Sequence, residues 1–118
     1  MTNETFSMTN KTRGTLPRVP FREIKEAILG KHYALSLVFI GKTRSRRLNT
    51  SYRGKPKPTN VLSFPLDTKT GEIFITPSVA NPREIGFLFI HGCLHLKGFD
   101  HGSTMERLET KFRIRFRV

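Results

Sequence analysis

The sequence predicts an α+β fold. Its 118 residues at 36% hydrophobic composition allow one compact domain over 1–118 with a modest core, and are too few for two. Four segments have the β-branched content or alternation of strands, and they are interspersed with segments of helical period that carry start and stop residues.

In chain order, ETFSMT at 4–9 reads as a short first strand, and the stretch from Gly14 to Pro20, with two prolines, reads as a connection. Pro20 then suits a helix start. Phe21, Ile24, Ala27 and Ile28 recur at helical spacing until Gly30 ends the run. LSLVFI at 35–40 has the length and composition of a buried strand. A short helix is read over Thr43–Ser51. VLSFP at 61–65 and EIFIT at 72–76 read as two further strands, joined by a turn that uses Asp67 and Gly71. The clearest helix start lies at Asn81, a capping residue followed by Pro82 and by Glu84 at the capping-box position. That helix should run to Gly98, which can take a left-handed cap. Ser103 and Glu106 repeat the capping-box spacing, so a last helix should carry MERLETKF. The ending KFRIRFRV alternates cation with apolar residue, a strand period, and predicts a terminal strand or pairing with a sheet edge.

The formal charge of +12 predicts attraction to polyanions, with nucleic acid as the default partner. No apolar run approaches the roughly 20 residues of a membrane-spanning helix, so no membrane partner is expected. The polar start MTNETFSMTNKTRG lacks the apolar stretch of a secretory signal. A single cysteine, Cys93, cannot form an internal disulfide. Both features point to a cytoplasmic protein.

The chemistry is concentrated in HGCLHLKGFDH at 91–101. On a helix, the i, i+4 spacing of His91 and His95 puts both imidazoles on one face, a turn apart. Gly98 lets the chain reverse so that His101 can bring a third nitrogen. Three histidines with an open position are the donor set of a catalytic zinc, whereas a structural zinc fills all four positions. One zinc ion is therefore expected on His91, His95 and His101, and no other cofactor site is read. The remaining histidine, His32, lies in a basic connection and is given no role. Cys93 is expected to be a buried small apolar residue. Asp100 is read equally well as a partner that orients a histidine and as a local turn residue.

The spacing H-x-x-x-H-x-x-G-x-x-H is also that of metzincin proteases, which carry a general-base glutamate directly after the first histidine. Here that position is Gly92, which cannot accept a proton. Peptide hydrolysis would need a base from elsewhere. A phosphodiester suits a strongly basic protein better. Between Lys42 and Lys57 seven cations occur with no acidic residue, among them Arg53 beside Tyr52 and before Gly54, Pro56 and Pro58. An aromatic and a guanidinium in a stiff turn suit base stacking and phosphate contact.

YRGKPKPTNVLSFP at 52–65, GEIFITP at 71–77 and HGCLHLKGFDH at 91–101, in this order, closely resemble the YbeY family of zinc-dependent endoribonucleases. The resemblance extends from the first strand to MERLE at 105–109. It implies an α+β fold in which a small mixed sheet of about four strands is packed with helices, the metal site lying at the end of a central helix. It further implies ligation by His91, His95 and His101, Arg53 as the catalytic arginine, and a single-stranded RNA substrate. In the cell it implies maturation of precursor 16S rRNA and quality control of the small ribosomal subunit, with no DNA substrate. Two connections, after ITP and after FDH, are shorter than the family pattern, and the KFRIRFRV ending departs from it and could add RNA-binding surface. A rival from another class is an RNA-binding ribosome assembly factor whose zinc is structural.

Overall fold

The computed structural model describes residues 5–118. Its elements are β1 (Phe6–Asn10), α1 (Phe21–Leu29), β2 (Ala34–Phe39), α2 (Lys42–Arg53), β3 (Val61–Asp67), β4 (Thr70–Ile75), 3-10 turns at Pro77–Val79 and Pro82–Glu84, α3 (Ile85–Lys97) and α4 (Ser103–Phe116). The strands form one mixed sheet in the order β1-β2-β4-β3, parallel for β1–β2 and β2–β4 and antiparallel for β3–β4. An α+β fold with a four-stranded mixed sheet is thus present. Residue 4, the first of the expected opening strand, lies outside the described residues; the strand itself begins at Phe6.

Alternation along the strands sorts side chains between two layers. Leu35, Leu37 and Phe39 of β2, with Ile73 and Ile75 of β4, face the main core, where they meet Phe21, Ile24 and Ile28 of α1 and Leu88, Phe89 and Cys93 of α3. Leu62 and Phe74 face the other way, with Val38 and Phe64, and meet Leu48 of α2. Helix α3 is central. Most of its length from Ile85 to Leu94 is buried, as expected of a helix that is apolar all round. Pro65 is tolerated because β3 is an edge strand, and the register shifts between Pro65 and Asp67.

Three boundaries differ from expectation for identifiable reasons. Asn81 does cap, accepting the Arg83 N–H at 2.9 Å, but the residues after it make a 3-10 turn before α3 begins at Ile85. Ser103 is the first residue of α4 and makes no capping hydrogen bond; Gly102 occupies the cap position. The KFRIRFRV ending is helix to Phe116, not strand. Phe112 and Phe116 extend the stripe Met105, Leu108, Glu109, and this i, i+3, i+4 face packs towards the main core while Ile114 is left 74% exposed. The alternating pattern fits a helix because every second apolar residue falls four apart. The helix expected over 43–51 is present and is longer by three residues, Lys42–Arg53.

Candidate metal centre

The local sequence of α3 does most of the assembly. His91 and His95 lie one turn apart near its C-terminal end, and their ring centroids are 4.5 Å apart. Gly98 then adopts φ +113°, its N–H bonding the carbonyl of His95 at 3.0 Å, while Phe99 N–H reaches back to Leu94 O at 3.0 Å. This left-handed cap reverses the chain. His101 returns from the reversal with its ring centroid 5.0 Å from His91 and 4.7 Å from His95. One ring nitrogen from each of the three lies within 4.8 Å of the others, so the trio can hold a metal ion.

Hydrogen bonds to the far side of each helical ring decide what it offers. The Phe99 carbonyl can only accept, so His95 Nδ1, 3.0 Å away, carries the proton. His91 Nδ1 lies 3.1 Å from Glu109 Oε2 and donates to that carboxylate. Both Nε2 atoms are thereby left as lone-pair donors, 3.0 Å apart. Two lone pairs facing each other at this distance repel, and a cation between them turns the repulsion into ligation. The donor set fits zinc, which takes neutral imidazoles whose second nitrogen is hydrogen-bonded to a carboxylate or carbonyl. Burial, then the neighbouring His91 ring, lowers the His95 pKa against the raising effect of the Phe99 carbonyl, keeping this imidazole neutral and able to ligate.

Glu109 was not singled out in the sequence, although a signal exists. Met105, Leu108, Glu109 and Phe112 share the inward face of α4, so a carboxylate stands where an apolar side chain is due. It occupies the orienting position considered for Asp100. Asp100 is exposed and makes no hydrogen bond to the three rings among the described residues. His32 is exposed, while Cys93 is fully buried with its thiol pKa pushed far up by burial, so it behaves as a small apolar residue.

Gly92 explains why no zincin glutamate is present. A Cβ at this position would lie 2.9 Å from Ser63 Oγ and 3.0 Å from Ile73 Cδ1, because α3 crosses the sheet there in near contact. The residue points into the sheet, not into the metal site. A glutamate at 92 would have neither room nor direction to act on substrate.

A cavity of about 270 Å³ is lined by Arg53, Val61, Ser63 and the three histidines. Arg53 ends α2, where Gly54 takes φ +68° and its N–H bonds Thr50 O at 3.0 Å. The following connection is tied back onto the helix by side chains. Ser45 Oγ donates to Thr59 O and accepts from Thr59 N–H, both at 2.9 Å, and Asn49 Nδ2 donates to Lys57 O at 2.8 Å. These bonds, unforeseen in the sequence, account for two buried polar side chains of α2 and hold the Arg53 turn over the site. Ser63, also unforeseen, donates to Gly92 O at 3.4 Å and presents a hydroxyl to the cavity. Tyr52 lies outside the lining, packed on Phe64 at 4.8 Å between centroids and 68% exposed.

The family model for Endoribonuclease YbeY matches residues 2–114. Among curated proteins of that name, the one from Acholeplasma laidlawii is 37% identical over 75% of this chain and 72% of its own length. Those from Pseudoalteromonas translucida and Onion yellows phytoplasma are 38% and 37% identical, over 64% and 80% of this chain and 60% and 70% of their own lengths. The chain therefore spans between 60% and 72% of the length of these three relatives. The solution structure of TM1509 from Thermotoga maritima has the same fold, with a TM-score of 0.59 at 24% identity over 91% of this chain and 85% of that one.

Proposed function

Because this chain belongs to the YbeY endoribonuclease family, we propose that it cleaves single-stranded RNA with one zinc ion held by His91, His95 and His101. The observation that supports this best is the shared cavity, in which the three imidazoles and the Arg53 guanidinium meet around one space. When bound, the ion supplies Lewis acidity towards water and towards a phosphate oxygen. The histidines hold it, and Glu109 and the Phe99 carbonyl fix the ring tautomers that make ligation possible. Arg53 binds non-bridging phosphate oxygens through its planar fork and neutralises the charge that grows on them as the phosphodiester is attacked. Ser63 is placed to hydrogen-bond the strand. In the cell, we assign the substrate as precursor 16S rRNA and the setting as small-subunit maturation in the cytoplasm, with the chain acting as one domain.

The test compares wild type with His95→Ala and Arg53→Ala for zinc content and for cleavage of a single-stranded rRNA fragment. His95→Ala should lose both metal and cleavage. Arg53→Ala should keep the metal and lose cleavage by about 100-fold or more, as expected when a charge-stabilising donor is removed. Undiminished cleavage by both variants would sink the assignment, and RNA binding without any cleavage would favour an assembly factor with structural zinc.

A further inference from the structure

The seam between α3 and α4 continues past the metal centre, and its next turns are basic. His91 on α3 faces Glu109 on α4. One turn back along α3, Phe87 lies 6.0 Å from the His91 ring between centroids, and the Arg113 guanidinium sits 5.0 Å over the Phe87 ring. A further turn reaches Arg83 and Arg117. Here a groove of about 500 Å³ is lined by Arg18, Arg83, Arg113 and Arg117, with Gly86 and Val118 at its floor. Val118 seats against Gly86 so closely that a Cβ on the glycine would lie 2.6 Å from it. The left-handed turn at Arg117, with Val118 N–H bonded to Arg113 O at 3.1 Å and Arg113 Nε donating to Val118 O at 3.2 Å, folds the end of the chain onto this surface.

Four guanidinium groups around one groove repel one another. Arg113 is bonded through Nε to Val118 O, and among the described residues none of the four is within ion-pair distance of an Asp or Glu side chain. The one such pair is that of His91 with Glu109. Gly86 and His91 are five residues apart on the same helix, a rise of about 7.5 Å with a rotation of about 140°, so the groove lies further along α3 and round its side from the three histidines. We propose that this groove binds the phosphate backbone of the RNA strand beyond the scissile bond, so that Arg18, Arg83, Arg113 and Arg117 form a second subsite, sharing no lining residue with the cleavage cavity and reached from it along the α3–α4 seam. The inference rests on the ribonuclease reading and deepens it. Charge complementarity selects the occupant: Arg18, Arg83 and Arg117, with no acidic partner among the described residues, gathered around one groove beside Arg113, suit a flexible polyanion.

The experiment is fluorescence anisotropy of the zinc-loaded full chain with labelled single-stranded RNA of graded length and at graded salt, with strand integrity checked by gel. The R83Q/R117Q variant should bind long strands about tenfold more weakly, and its log–log salt slope should fall by about 1.4, at 0.7 per lost phosphate contact. R83K/R117K should recover most of the loss. A strand too short to leave the cavity should bind both variants like wild type. Wild-type affinity and slope in R83Q/R117Q overturn the proposal, as does an equal loss for short and long strands or a lysine variant as weak as the glutamine one. Loss of binding to phosphatidylserine vesicles with RNA binding intact overturns it in favour of a lipid surface. Cleavage with unchanged binding in R83Q/R117Q refutes the groove and not the nuclease; groove-dependent binding by a wild type that does not cleave refutes the nuclease and not the groove.

Discussion

At the scale of single residues, two buried charges have opposite uses. Glu109 is almost wholly enclosed, and its partner is a ring whose other nitrogen is left free to hold a metal ion. Removing it frees the His91 ring to turn and leaves its Nδ1–H without an acceptor. Glu109→Ala should therefore weaken zinc affinity about 10- to 100-fold, measured by competition with a chromophoric chelator, while the fold is retained. Unchanged affinity would mean that the carboxylate serves only the α3–α4 packing. Lys25 on α1 is fully buried, and its Nζ has one hydrogen bond, to Lys31 O at 3.1 Å. Burial is the main cause of its lowered pKa, so the ammonium is a cost to the fold. The unfolded chain holds this proton more tightly than the folded one. Stability should consequently rise with pH between the depressed folded value and the ordinary 10.5, and below that window the full cost is present. Lys25→Met should stabilise by about 1 kcal/mol, about 4 °C in Tm, and flatten that rise. Thermal melts at neutral and alkaline pH check both parts.

At the scale of elements, α3 acts through how closely it lies on the sheet. Gly92 lets the helix approach Ser63 and Ile73, and this approach sets the height of His91 and His95 above β3 and β4. Gly92→Ala should cost about 1–3 kcal/mol by overpacking, read as a fall in Tm, and should lower zinc affinity along with it. Helix propensity alone would make alanine the better residue, so a raised Tm would refute the close-approach account. α4 shows how a local pattern can carry two meanings. The apolar residues at 112, 114, 116 and 118 alternate like a strand, but Phe112 and Phe116 are also one helical turn apart. The decision falls to what lies opposite. Helix α3 offers an apolar flank to the Met105, Leu108, Phe112 stripe, while a strand would have brought its cations along the sheet. α2 is the converse case. Its sequence is so polar that its buried residues are Ser45 and Asn49, and its ordering depends on their bonds to residues 57–59, which no helical period announces.

At the scale of the whole molecule, the metal centre closes the chain between α3, the turn that follows it and α4. Metal that binds only the folded state must stabilise all three together. At a free zinc concentration about a hundredfold above Kd, the stabilisation is about 2.7 kcal/mol, or roughly 10 °C or more in Tm. Chelation should reverse the shift, and His95→Ala should show none; a chelator-insensitive Tm in wild type would argue that the site does not hold zinc in solution. The sheet order also has a functional consequence. β3 lies at one edge, next to β4, and Val61 and Ser63 of this edge strand form a wall of the cavity beside Arg53. The excess of cations is not neutralised by acidic side chains: among the described residues no lysine or arginine is paired with an Asp or Glu. No described helix is long and apolar enough to cross a membrane.

The sequence alone determined the features that depend on spacing along one chain. Three histidines at i, i+4 and i+10 with a glycine in between specify a three-nitrogen site, because a helical turn and a left-handed cap are local events. The alternating strands, the Asn81 cap and the helix that begins at Phe21 are legible for the same reason. Only the tertiary structure decided what faces what. It brought Glu109, eighteen positions away, behind His91, and set Ser63 and Arg53 across the cavity from α3. It turned Gly92 into the sheet, so that the histidine spacing of a protease is present without its base. It also made a helix of the KFRIRFRV ending and set Arg113 and Arg117 beside Arg18 and Arg83 around one groove. Those outcomes depend on packing between segments far apart in the chain, and packing has no period that a single sequence can display.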